Sequence, residues 1–81
     1  MNDVIPLLDK LMMIYLRDER IIYQCVSSLA VLSFTLEGRT YLKNTVDIID
    51  HLQRILAFYE DNDDIANLTT ITLTNLGCAV S

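Results

Sequence analysis

Apolar residues recur along this chain at steps of three and four, the period of an amphipathic helix. In the first segment they are Val4, Leu7, Leu8, Leu11, Ile14 and Tyr15. Pro6 falls in the first turn, where a missing N–H costs least. A second stripe runs Ile22, Cys25, Val26, Leu29, Leu32, Ser33 and Leu36. Asp18 stands ahead of it as a candidate N-cap, and Gly38 is expected to stop the helix. A short segment around Thr40 to Asn44 carries Tyr41 and Leu42. The next stripe is Ile48, Ile49, Leu52, Ile55, Leu56 and Tyr59. It ends at the polar run "EDNDD", residues 60 to 64, whose Asp63 or Asp64 is placed to cap the following helix.

The last segment is ambiguous. Thr70 to Thr74 alternates polar and apolar residues, as a strand would, and Thr72 and Thr74 are β-branched. A longer helical stripe overlies it: Ile65, Leu68, Thr69, Thr72, Leu73, Leu76 and Val80. We read helix, because an all-helical environment overrides weak local propensity. With two Gly and one Pro in 81 residues, an all-β chain with many tight turns is disfavoured. The expected fold class is all-α.

The chain also repeats itself. Leu7, Asp9, Leu11 and Ile14 match Ile48, Asp50, Leu52 and Ile55, each pair 41 positions apart; Ile21, Leu29 and Leu32 match Ile65, Leu73 and Leu76, each 44 apart. A period of about 40–47 residues is that of armadillo and HEAT repeats. The spelling adds to it. "VIPLLDKL" resembles the second helix of an armadillo repeat, and "DERIIYQCVSSLAVLS" resembles its long third helix. "EGRTYLKNTVDIIDHLQRIL" resembles the first two helices of the next repeat, with Arg39 where the family often places a basic residue. "NDDIANLTTITLTNLG" resembles a second third-helix. One departure is that the family's usual Gly between first and second helices is absent around Thr45 and Val46. The resemblance implies an armadillo-like α-solenoid fragment of about two repeats and four to five helices. Residues 1–36 would hold the second and third helices of one repeat, and residues 37–81 the next.

In that family the third helices line a concave groove, where an Asn clamps the backbone of an extended peptide and an aromatic residue separates its side chains. The resemblance puts Asn75 at the Asn position and Ile71 at the aromatic one. In the preceding repeat the same two positions are Val31 and Ser27. A carboxamide donates and accepts at once, as pairing with a peptide backbone requires. The alternative is that Asn75 caps or ends its helix near Gly77.

Composition narrows the partners. The formal net charge is -5, which argues against nucleic acid and anionic membrane and permits a basic protein partner. The charge-free stretch Ile21 to Leu36 is interrupted by Tyr23, Gln24 and several hydroxyl residues, and it is short for a membrane span. No basic segment precedes an apolar run near the start, so no secretory signal is expected. Two cysteines, Cys25 and Cys78, make no disulfide framework, and an intracellular chain with reduced thiols is expected. The hydrophobic fraction of 52% is high for a chain this short. A piece of a repeat array accounts for it, with self-association through exposed repeat ends as a consequence.

Other chemistry is thin. Asp47, Asp50 and His51 share one helical face, but a metal site needs a fuller ligand set and no cofactor or metal motif accompanies them. Read from Asp61, the acidic run puts Ala66 and Thr72 where a calcium loop needs Gly and Glu. His51 is the only histidine, with no nucleophile motif beside it. The expectation is a non-enzymatic interaction scaffold that holds a peptide or helix of a partner. An architectural spacer in a larger repeat protein is the alternative, and a metal-dependent enzyme a distant third.

Overall fold

Five α-helices carry the residues that this computed structural model describes, Val4–Cys78: α1 Val4–Ile14, α2 Glu19–Leu32, α3 Leu36–Lys43, α4 Ile48–Phe58 and α5 Asp63–Asn75. No strand occurs among the described residues. Three of the starts have a side-chain cap. Asp18 caps α2, its carboxylate accepting from the backbone N–H groups of Arg20 at 3.2 Å and Ile21 at 3.3 Å. Thr35 caps α3 by accepting from Gly38 N at 2.9 Å. Asn62, not Asp63 or Asp64, caps α5, accepting from Ile65 N at 3.1 Å. The two aspartates occupy the first turn, where their charge favours the positive end of the helix dipole.

The Thr-rich segment is helix. Thr69 and Thr72 are both fully buried. Each hydroxyl donates to a carbonyl one turn back in its own helix, Thr69 to Ile65 O at 2.7 Å and Thr72 to Leu68 O at 2.8 Å. Satisfied this way, a threonine packs much as a valine would. α5 ends in a Schellman motif: Cys78 N donates to Leu73 O at 3.0 Å, Gly77 N to Thr74 O at 3.0 Å, and Gly77 has φ +84°. The cap is therefore Leu76–Gly77, and Asn75 is the last helical residue before it. Val80, counted in the stripe, lies outside the described residues.

Two further expectations are corrected. Gly38 does not stop α2. That helix ends at Leu32, and Gly38 lies inside α3, with Leu36 at its start and exposed. The glycine is there for close approach: a Cβ at this position would sit 2.0 Å from Leu32 O. The apolar stripe expected to bury α1 mostly faces outward. Ile5 and Met12 are buried and Leu8 and Leu11 half-buried, but Val4, Leu7, Ile14 and Tyr15 are 45–60% exposed. α1 is apolar on two faces, and its neighbours cover only one.

The turn before α4 bends through Asp47, at φ +64°, a left-handed conformation that aspartate tolerates better than most residues. It lies beside Thr45 and Val46, the place where the repeat family has its glycine. Packing joins α2 to α5, α1 to α2, and α4 to α5 most extensively. Four side-chain bonds then tie the first half to the second: His51 Nδ1 to Asp9 Oδ1 at 2.6 Å, Tyr59 O–H to Leu16 O at 2.6 Å, Asn62 Nδ2 to Glu19 Oε1, and Asn75 Nδ2 to Ser33 Oγ at 3.0 Å. Their separations are all 42 or 43 residues. Start meets start and end meets end, so α1 runs parallel to α4 and α2 parallel to α5. The second helical pair lies on the first in register.

Candidate protein-binding surface

α2 and α5 form the longer-helix layer, and all four candidate residues lie on it. The N-caps Asp18 and Asn62 are 44 residues apart, so Ser27 and Val31 hold on α2 the positions that Ile71 and Asn75 hold on α5. Val31 is 69% exposed and Ile71 39% exposed. Ser27 and Asn75 are half-buried. Tyr23, one turn before Ser27, is also exposed and belongs to this face; the sequence reading passed over it. The signal that points to it is charge. Residues 21–36 and residues 65–81 contain no Asp, Glu, Lys or Arg at all, in a chain that is 21% charged. Beyond their first turns, the solvent faces of both helices consequently present hydroxyl, amide and apolar groups only.

At their N-terminal ends the two helices bound a shallow hollow of about 380 Å³, lined by Glu19, Arg20, Tyr23, Gln24, Asn62 and Asp64 among others. This end is acidic: Glu60, Asp61, Asp63 and Asp64 lie in or beside the turn into α5. The Glu19 carboxylate is fixed by the Asn62 amide. An uncharged strip thus opens onto a hollow whose carboxylates and tyrosine ring suit a cationic side chain.

Asn75 is not free to swing into solvent. Its amide donates to Ser33 Oγ, and that buried hydroxyl donates in turn to Ala30 O at 2.7 Å. Arg39 reaches the same corner, with Nη1 3.5 Å from Ser33 O. One N–H of the carboxamide is used in this way, and the group carries a second N–H and an acceptor oxygen.

The remaining chemistry-bearing residues have structural partners. His51 turns toward Asp9 of α1 rather than toward Asp47 or Asp50. Among the described residues no three His, Cys, Asp or Glu side chains are grouped as metal ligands would be. Cys25 and Cys78 are free thiols, and burial pushes the Cys25 thiol up, which makes it a poor nucleophile. Burial likewise raises Tyr59, with Glu19 and Asp18 adding to the shift. No helix among the described residues is long and apolar enough to cross a membrane. Comparison with known protein families, with curated proteins and with solved structures finds no match to this chain.

Proposed function

We propose that this chain is a non-enzymatic protein-interaction module: two successive repeats of an armadillo-like solenoid whose α2–α5 face holds a segment of a partner protein. The parallel, in-register stacking of the two helical pairs supports the repeat reading. A stacked repeat contacts its neighbour near the positions one period away, and the four tying bonds fall within two residues of that separation. The observation that carries the interaction reading is the charge-free exposed face of α2 and α5, with Val31, Ile71 and Tyr23 on it and an acidic hollow at one end. Binding surfaces are depleted of charge at their centre and enriched in tyrosine. A segment with an uncharged stretch and a Lys or Arg at one end complements it. Asn75, held by Ser33, offers its remaining amide groups to the backbone of that segment.

Selection of a displayed random-peptide library on the immobilised chain tests this, with recovered peptides titrated by fluorescence anisotropy. Peptides with a basic end should emerge, and Val31→Arg or Ile71→Arg should weaken them at least about tenfold, the effect of losing one well-packed interface side chain. Arg54→Gln, at an exposed position of α4, should not. An empty selection, or equal effects at all three positions, would refute the reading. Asn75 discriminates further. Its bond to Ser33 also favours the architectural alternative, a spacer whose polar groups only join repeats. In that case Asn75→Ala lowers stability and leaves every affinity unchanged.

A further inference from the structure

The turn that joins α3 to α4 is made of residues that suit it poorly. Ile48 N donates to Thr45 O at 3.3 Å, which closes a β-turn over Thr45 to Ile48. Its third residue, Asp47, has φ +64° and ψ 7°. Asp47 alone among the described non-glycine residues has a positive φ, so Val46 before it does not. That is a type II turn, which favours proline at its second position and glycine at its third. Val46 and Asp47 stand there instead, and Val46 is 79% exposed. α4 also starts without the side-chain cap that α2, α3 and α5 have. The sequence through the turn is compatible with a helix. No glycine or proline occurs between Gly38 and Gly77. Continued at helical pitch, Leu42, Val46, Ile49, Leu52 and Leu56 recur at steps of three and four on one stripe.

We infer that this turn is a hinge through which two copies of the chain exchange their second helical pairs. α3 and α4 join into one helix, and the α4–α5 pair of each copy seats on the α1–α2 pair of the other. The partner is specified by contacts already described. Each pair packs within itself, α1 on α2 and α4 on α5, and α3 packs only lightly on either side. The packing of α2 on α5 and the four tying bonds are re-made between copies, so no further surface has to be matched. Joining the helices releases Asp47 from the left-handed region and gives the N–H groups of the first turn of α4 carbonyl partners on α3. It also brings Val46 into the apolar stripe. Each exposed α2–α5 strip is then built from two chains and keeps its composition, so the exchange does not rest on the peptide-binding proposal.

Refolding the intact chain from urea at about 500 µM, followed by size-exclusion chromatography with light scattering, tests it. A peak of twice the 9.3 kDa of the chain is expected. Diluted to about 1 µM, it should dissociate no faster than the monomer unfolds, because the second pair must open before it can return. Two hinge variants should move the dimer-to-monomer ratio at least about fivefold in opposite directions. Asp47→Gly relaxes the closed turn and lowers it; Asp47→Ala favours the joined helix and raises it. Leu7→Glu, on the outward side of α1, should leave the ratio unchanged. Far-ultraviolet circular dichroism should be that of the parent in the Asp47→Gly and Leu7→Glu proteins. Absence of the dimer from the refolded parent, a ratio indifferent to Asp47→Gly or lowered by Leu7→Glu, or dissociation faster than unfolding would overturn the inference.

Discussion

Replacing Gly38 with Ala sets two effects against each other, and the structure says which wins. In an exposed helix the change stabilises by about 1 kcal/mol, because alanine is the better helix former. Here the added Cβ would lie 2.0 Å from Leu32 O and 2.8 Å from both Leu32 C and Thr35 Oγ1. Two of these are backbone atoms and cannot rotate away, so α3 must lift off the end of α2. Such overpacking costs about 1–3 kcal/mol. The shift also strains the Thr35–Gly38 cap and the Arg39–Ser33 contact, and it loosens Leu42, which is fully buried. Each weakened bond adds up to about 1 kcal/mol. With propensity subtracted, the net loss is about 2 kcal/mol, or roughly 8–16 °C in Tm for a chain of this size.

Urea denaturation followed by circular dichroism at 222 nm measures it. The midpoint should fall while the slope stays constant, since the same surface is exposed on unfolding. Thr40→Ala serves as the control. It lies on the exposed side of the same helix and should be neutral or slightly stabilising. A Gly38→Ala protein as stable as the parent, or more stable, would show that α3 does not approach Leu32 this closely.

Three other outcomes follow from the geometry. Tyr59→Phe removes the bond to Leu16 O and should cost about 1 kcal/mol near neutral pH. The folded chain holds the Tyr59 proton more tightly than the unfolded chain, because its value is raised above 10.0. The parent should therefore keep its full stability below pH 10 and lose some as pH rises further. The loss should be smaller in the Phe variant, as thermal melts at alkaline pH would record. Asp47→Val forces a β-branched residue into the left-handed region and should cost about 1–2 kcal/mol, whereas Asp47→Asn should be near neutral, both read by urea midpoints. A double-mutant cycle of Ser33→Ala and Asn75→Ala should return a coupling of about 1 kcal/mol, and zero coupling would mean the bond contributes nothing to holding α2 against α5.

What the sequence disclosed follows from the range over which each signal acts. Asp18 was legible as a cap because capping is settled within three residues. The buried row Ile22, Val26 and Leu29 was legible because α2 packs on one side only. Gly38 misled because a glycine past an apolar stripe has two uses, a left-handed stop or a close approach, and only the distance to Leu32 separates them. The α1 stripe misled for a related reason. Periodicity locates an apolar face, but which face is covered depends on neighbours far along the chain. The Asn62 cap was hidden among adjacent acidic residues with the same chemistry. Of the candidate surface, Val31 and Ile71 were placed by the repeat alignment. The Ser33–Asn75 pair was not, because contacts between stacked units fall two residues out of step with the equivalence of 44.

The buried hydroxyls of Thr69 and Thr72 have a consequence for how the chain fails. α5 is helical because α2 and α4 hold it, since β-branched threonines give it little helical tendency of its own. Once α5 detaches, residues 68–74 become a hydroxyl-rich stretch, alternating from Thr70 to Thr74, with no proline, glycine or charge within it. That composition favours pairing with copies of itself as cross-strand assemblies. Residues 75–81 hold no charged gatekeeper, and Asp63 and Asp64 guard only the approach. The packing of α2 against α5 therefore also governs aggregation: variants that weaken it reach insoluble β-rich material through a partly opened molecule whose other helices are still formed.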